Sequence, residues 1–223
     1  MGSTKEEIMT VALHLFAKNG YEAVSVSQIA GVLGMISLIF YSNHHIVSVS
    51  QIAGVLGMTK GALYRHYENK RDIFLHIVKR MEQQDSEQAR QNEVPEESIE
   101  KMPEEYQNVS VEDFVGYSKS MFEYWTEDDF ASSFRKMLTL EQFRNEEMQK
   151  LYQQYLVSGP AEYVKDLFKN MKIENPEETA VKFYANMFFY YSVYDGASDK
   201  VKVKCQFEHM LTEITEEIRN SNN

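Results

Sequence analysis

Cysteine is nearly missing from this sequence: Cys205 stands alone among 223 residues, which excludes an internal disulfide and any zinc site built on several thiolates. Lying between Val203 and Phe207 in a predicted helix, it reads as a small buried hydrophobe. Long apolar runs are missing too. Stretches such as Leu38 to Tyr41 fall far short of the roughly 20 residues needed to cross a bilayer. No basic-then-apolar leader opens the sequence, so a cytoplasmic protein with no membrane partner is expected. Also lacking are His-x-x-x-His, Cys-x-x-Cys, a phosphate-binding glycine loop and Gly-x-Ser-x-Gly. His44 and His45 are adjacent and would point apart on a helix, while His14, His76 and His209 are isolated. No enzyme, metal site or cofactor is expected.

Basic residues are in the minority, with 23 Lys and Arg against 34 Asp and Glu and a net charge of −11. Their distribution is uneven. Residues 1–81 carry eight basic and five acidic side chains, a net of +3, and the remainder has a net of −14. Such asymmetry suits a nucleic-acid-facing head on an acidic body that binds something else, although solvated surface charge alone produces the same imbalance.

What is present is helix. Apolar residues recur at spacings of three and four, and no sheet pattern is found, so the expected class is all-α. Ser3 and Thr4 with Glu6 and Glu7 open a first helix whose stripe is Ile8, Val11, Ala12, Leu15 and Phe16, ending at Asn19-Gly20. Asn69 and Asp72 cap another, with Ile73, Phe74, Ile77, Val78 and Met81 inward. Residues 84–108, rich in Glu and Gln and holding Pro95 and Pro103, read as a loop or irregular connection. Further helices are predicted at 111–124, 127–156 with a break, 161–171, 177–194 and 199–219. Asp128-Asp129 would favour the dipole at one of these helix starts.

The informative stretch is Ser48 to Tyr67. Ser48 and Gln51 form a capping box, Ile52, Ala53 and Leu56 an inward face, Gly57 a sharp stop, and Thr59 the cap of a second short helix with Leu63 inward. Two short helices joined through a glycine turn make a helix-turn-helix, whose second helix reads the major groove. An ordinary helical hairpin with surface charges has the same local pattern. The run Gly57-Met-Thr-Lys-Gly-Ala-Leu-Tyr-Arg-His-Tyr-Glu-Asn-Lys-Arg-Asp-Ile-Phe74, together with Phe16-Ala-Lys-Asn-Gly-Tyr21, resembles the DNA-binding head of the tetracycline-repressor (TetR) family. The resemblance covers residues 4–23 and 47–80. It implies a three-helix head, a linking fourth helix and a ligand-binding body that dimerises on a palindromic operator. It also implies base or groove contacts from Lys60, Gly61, Tyr64 and Arg65, and phosphate contacts from Ser48, Thr59, His66 and Lys70. The expected domains are a head at 1–70 and a ligand-binding, dimerising body at 71–223.

One feature departs from that pattern. Val24 to Met35 recurs without change as Val47 to Met58, twelve identical residues 23 positions apart. Removing either 24–46 or 36–58 restores an uninterrupted family-like head. The intervening Ile36 to Ile46 brings no Lys or Arg, and laid over Thr59 to Asn69 it shares only a tyrosine. Because the second copy runs straight into Thr59, it is the one expected to dock as helix two, with 24–46 as an excursion. If instead the first copy docks, the recognition helix is separated from its support and DNA binding is expected to be lost; a third alternative is that the repeat arose in cloning or recombination.

The body is rich in aromatics, most of them core. Phe122, Trp125, Glu141, Tyr155, Tyr163 and Phe188 are candidates for lining a pocket that holds an aromatic or lipophilic ligand, and carboxylates such as Glu123 or Glu141 would suit a cation. The resemblance implies a homodimer through about 177–219. The expected function is a DNA-binding repressor released by a small molecule. The competing one is a helical ligand-binding or protein-interaction module whose head the duplication has disabled.

Overall fold

The computed structural model describes residues 4–42 and 59–221. Among them there are helices and no strands: α1 Thr4–Asn19, α2 Val26–Ser42, α3 Lys60–Leu63, α4 Lys70–Gln91, α5 Pro103–Asn108, α6 Val111–Glu127, α7 Asp129–Glu141, α8 Glu146–Leu156, α9 Ser158–Asn170, α10 Pro176–Gly196 and α11 Lys200–Ser221. None of these helices is long and apolar enough to cross a membrane.

In α1, Ile8, Ala12 and Phe16 share one row at four-residue spacing and Met9 and Leu13 the next, and all five are buried. Val11 and Leu15 lie at the margin of that face. Gly20 ends the helix at φ +87°, its N–H reaching the Phe16 carbonyl at 2.9 Å.

Helix two is built from the first copy of the repeat, contrary to the expectation that the second copy would dock. Ser25 and Gln28 form the capping box, the Ser25 N–H donating to Gln28 Oε1 at 2.7 Å and the Gln28 N–H to Ser25 Oγ at 3.3 Å. Ile29, Ala30 and Leu33 are buried in the head core. The helix does not stop at Gly34 but continues to Ser42. Glycine permits a left-handed stop without demanding one, and no Thr59-type cap follows Met35 to start a new helix. The second copy, Val47 to Met58, lies outside the described residues.

The third short helix does start at Thr59, whose Oγ1 accepts from the Ala62 N–H at 3.2 Å. It lasts one turn, and 3₁₀-type bonds carry the chain on to Tyr67. Asn69 then caps α4, its Oδ1 accepting from the Asp72 N–H at 2.9 Å. Residues 84–91, expected in a loop, extend α4 instead. Gln, Glu and Arg are good helix formers, and Ala89 on the same face is buried.

The body helices follow the predicted spans closely. Ser110 and Asp113 make a reciprocal capping box for α6, Asp128 caps α7, and Asn145 caps α8, which places the break of the 127–156 span at 142–145. Arg135 is 5% exposed and inserts between α6 and α10: its Nε donates to the Trp125 carbonyl at 3.1 Å and its Nη2 to both Asp195 oxygens at 2.9 Å. Cys205 is exposed, correcting the expectation of burial. Val203 and Phe207 share the inward face, and a residue midway between them points away from it.

Head and body share one apolar core. Helix α1 packs along α7, and the C-terminal end of that contact is polar. Glu141, 0% exposed, accepts the Tyr21 N–H on Oε1 at 2.9 Å, with Arg144 Nη1 at 3.4 Å. A Cβ at position 20 would sit 2.5 Å from the same oxygen, so Gly20 serves both the turn and this approach.

Two outcomes are expected. Ile29→Ala should lower unfolding stability by about 2–5 kcal/mol in chemical denaturation, as for other buried isoleucines; a loss under about 1 kcal/mol would mean that Ile29 is not what fills the helix-two seat. Glu141→Ala should cost roughly 1–3 kcal/mol by stranding the Tyr21 N–H, and Glu141→Gln, which keeps an acceptor oxygen, should cost less.

Candidate functional site

Two surfaces have the chemistry of binding sites. The first is the outer side of α3. With Leu63 fully buried and Thr59 holding the helix start, Thr59, Lys60, Gly61, Tyr64 and Arg65 are all exposed, and His66 is half-buried. Lys60 Nζ lies 5.8 Å from the Tyr64 ring centre, so cation and phenol form one patch. Beneath it Tyr67 is 2% exposed and donates its hydroxyl to the Lys5 carbonyl at 2.9 Å. Burial, aided by the Asp72 and Glu6 carboxylates, pushes the Tyr67 phenol up to about 12.

Lys70 occupies a different place. Its Nζ donates to the Tyr21 carbonyl at 2.9 Å, lies 4.2 Å from the Tyr21 ring centre and 3.7 Å from Glu22 Oε2, so its charge fastens the corner between α1 and α4. Ser48 lies outside the described residues. Helix α2 packs against α3, so the short helix keeps a support.

The second surface is a cavity of about 580 Å³ in the body, between α4, the 95–98 segment, α6, α8, α9 and α10. Trp125, Tyr155 and Tyr163 line it, as do Tyr106, Tyr117, Tyr184 and Tyr191. Phe122, Glu141 and Phe188 do not. Phe122 stacks on Phe207 with ring centres 4.1 Å apart, in the core between α6 and α11. Glu141 is committed to Tyr21, and Phe188 packs at the margin of the core beside Tyr191. Glu123 also lies elsewhere, paired with Lys204 at 3.1 Å.

Three of the six lining tyrosine hydroxyls are used within the protein: Tyr163 donates to the Pro95 carbonyl, Tyr184 to that of Leu156 and Tyr106 to that of Glu97, each at 3.1 Å. Among the described residues Tyr117, Tyr155 and Tyr191 make no hydrogen bond through theirs, and burial raises the pKa of all three phenols. Asp85 is the lining residue that sequence reasoning missed. Ile73, Ile77, Met81, Asp85 and Ala89 recur every four residues, so a carboxylate interrupts an apolar stripe; that signal vanishes once 84–108 is read as loop. Burial pushes the Asp85 carboxyl up to about 6. Among the described residues no cluster of three or more His, Cys, Asp or Glu has metal-binding geometry.

Comparison with known proteins bears on the α3 region and on the fold. The sequence model described as bacterial regulatory proteins, tetR family, matches residues 45–77, passing through the second copy of the repeat into α3 and α4. No curated protein matches the chain. Among solved structures the chain is similar to SmeT, the repressor of the Stenotrophomonas maltophilia multidrug efflux pump SmeDEF. That similarity has a TM-score of 0.55 and 15% identity, covering 96% of this chain and 88% of SmeT. A second similar structure is the fatty acid degradation regulator FadR from Bacillus halodurans, with a TM-score of 0.49 and 13% identity over 98% of this chain and 95% of that one. A segment of this chain thus matches the model of the tetR family of bacterial regulatory proteins, and it sits on an all-helical fold shared with SmeT.

Proposed function

We propose that this protein is a transcriptional repressor that binds operator DNA through α3 and leaves it when a small aromatic or lipophilic molecule fills the body cavity. The observation that carries the reading is the exposed patch of Lys60, Gly61, Tyr64 and Arg65 on a helix start held by Thr59 and anchored by Leu63. Lys and Arg suit guanine edges and phosphates, a phenol can donate to phosphate, and a glycine lets the backbone approach. Thr59 and His66 flank the patch at positions suited to phosphate contact. Lys70 acts by holding the head together.

The division of labour follows at residues 1–70 and 71–223. Helix α4 joins the two parts, with Ile73 and Phe74 in the shared core near Tyr21 and Asp85 and Ala89 at the cavity wall. A ligand that favours one seating of α4 over another therefore shifts the head. Dimerisation through about 177–219 would cover Val181, Phe189 and Val201, which are 57%, 59% and 72% exposed on α10 and α11.

A second reading, a ligand-binding module with a disabled head, draws on the path of the chain: α2 runs on to Ser42, and residues 43–58 intervene before α3. Gel-shift titration against DNA flanking the coding region, at two salt concentrations and with excess unrelated DNA, separates the readings. The repressor reading expects specific binding that weakens with salt and falls roughly 5- to 150-fold in Tyr64→Ala or Arg65→Ala, with the fold retained. A folded dimer with only non-specific retention would favour the module. Lys70→Ala should lower the melting temperature along with DNA affinity; an unchanged melting temperature would argue against its internal role.

A further inference from the structure

We infer that the body cavity selects an organic cation with aromatic bulk, its charge held by Asp85 and Glu82 and its rings by Tyr117, Trp125, Tyr155 and Tyr163. The inference rests on the reading of this cavity as the ligand site and adds the charge of what enters it.

The lining is one-sided. It contains the carboxylates of Glu82, Asp85, Glu96, Glu97, Glu162 and Asp166 and no Lys, Arg or His. Three of these are neutralised by neighbours outside the lining: Glu96 by Arg90 at 3.2 Å, Glu97 by Lys101 and Glu162 by Lys165. Among the described residues Glu82, Asp85 and Asp166 have no ion pair, and Asp85 makes no hydrogen bond. An unpaired carboxylate inside a protein attracts a cation and repels an anion far more strongly than the same group in water. The tyrosine and tryptophan faces add cation–π attraction for a charge seated among them. A volume of about 580 Å³ admits a ligand with several rings.

The state of Asp85 in the empty protein is consistent with this. Burial raises its carboxyl from 3.8 to about 6, so above pH 6 it is ionised at a cost to the fold, and stability returns as pH falls from about 6 toward 4. The groups facing it do not relieve that cost: Tyr117 and Tyr124 on α6, Tyr155 on α8 and Tyr163 on α9 are neutral phenols whose own pKa values the Asp85 charge helps to raise. Glu82 on its own helix and Glu162 and Asp166 on α9 are acidic. A bound cation supplies the missing counter-charge.

The test is titration of the full-length protein, without DNA, with tetraphenylphosphonium and with tetraphenylborate, ions of one shape and opposite charge. Calorimetry gives affinity, and the emission of Trp125, the single tryptophan, reports from the cavity wall. The phosphonium should bind at least about ten-fold more tightly than the borate and shift the Trp125 emission. Asp85→Asn should weaken phosphonium binding by about ten-fold or more while raising the melting temperature of the empty protein at pH 7.5, and that gain should shrink at pH 5. A residue that only supported the fold would not move affinity and stability in opposite directions. If Asp85→Asn does not fold, Glu82→Gln carries the affinity test with a smaller loss. Equal or tighter binding of the borate, no binding of either ion, or unchanged phosphonium affinity in the variants overturns the assignment. A chain that binds phosphonium but no operator overturns the repressor reading and leaves the cation assignment standing.

Discussion

Every fourth residue of α4 from Ile73 to Ala89 faces inward, and the organisation of the molecule depends on that single row. Over 22 residues, roughly 33 Å of helix, the row passes from the shared core beneath the head, through Met81 under Tyr124, to a carboxylate and a small residue at the cavity wall. Asp85 and Phe74 thus lie on one continuous helix, and Phe74 packs on Tyr21 with ring centres 5.4 Å apart. The buried bond from the Tyr21 N–H to Glu141 ties that corner to α7 as well, so the head is held to the body from two sides.

The acidic body handles its buried charges in two ways. Arg135 meets Asp195 through Nη2, which donates to both carboxylate oxygens, while its Nε donates to a carbonyl, so this charge is paired and serves the packing of α6 against α10. Asp85 has no such partner among the described residues. A fold that pairs Arg135 and leaves the half-buried Asp85 without an ion pair beside a cavity concentrates electrostatic cost where a ligand can relieve it.

The repeated segment shows where local rules stop. The twelve-residue unit encodes a capping box, an apolar face and a glycine in both copies, so nothing within the unit distinguishes them. Continuity with Thr59 favours the second copy, and the family match runs through it. The core nevertheless seats the first, because Ser25 follows directly from the turn after α1 and brings Ile29 and Leu33 to the α1 face with the shortest connection. Helix α2 still meets α3, so the short helix keeps its packing partner although 17 positions separate Ser42 from Thr59.

The sequence by itself determined the all-helical class, most helix starts and the outward patch of α3. Caps such as Thr59, Asn69, Ser110 and Asp128 act within four residues, and the burial of Leu63 follows from helical periodicity. Only the tertiary structure decided which copy of the repeat is seated, that Lys70 turns inward to Tyr21, and that Glu141 joins head to body across 120 positions. It also decided the cavity, collecting Trp125, Tyr155 and Tyr163 while sending Phe122 into the core. Aromatic residues suit core and pocket equally well, and which they serve depends on neighbours brought from distant parts of the chain, a relation that spacing along one helix does not contain.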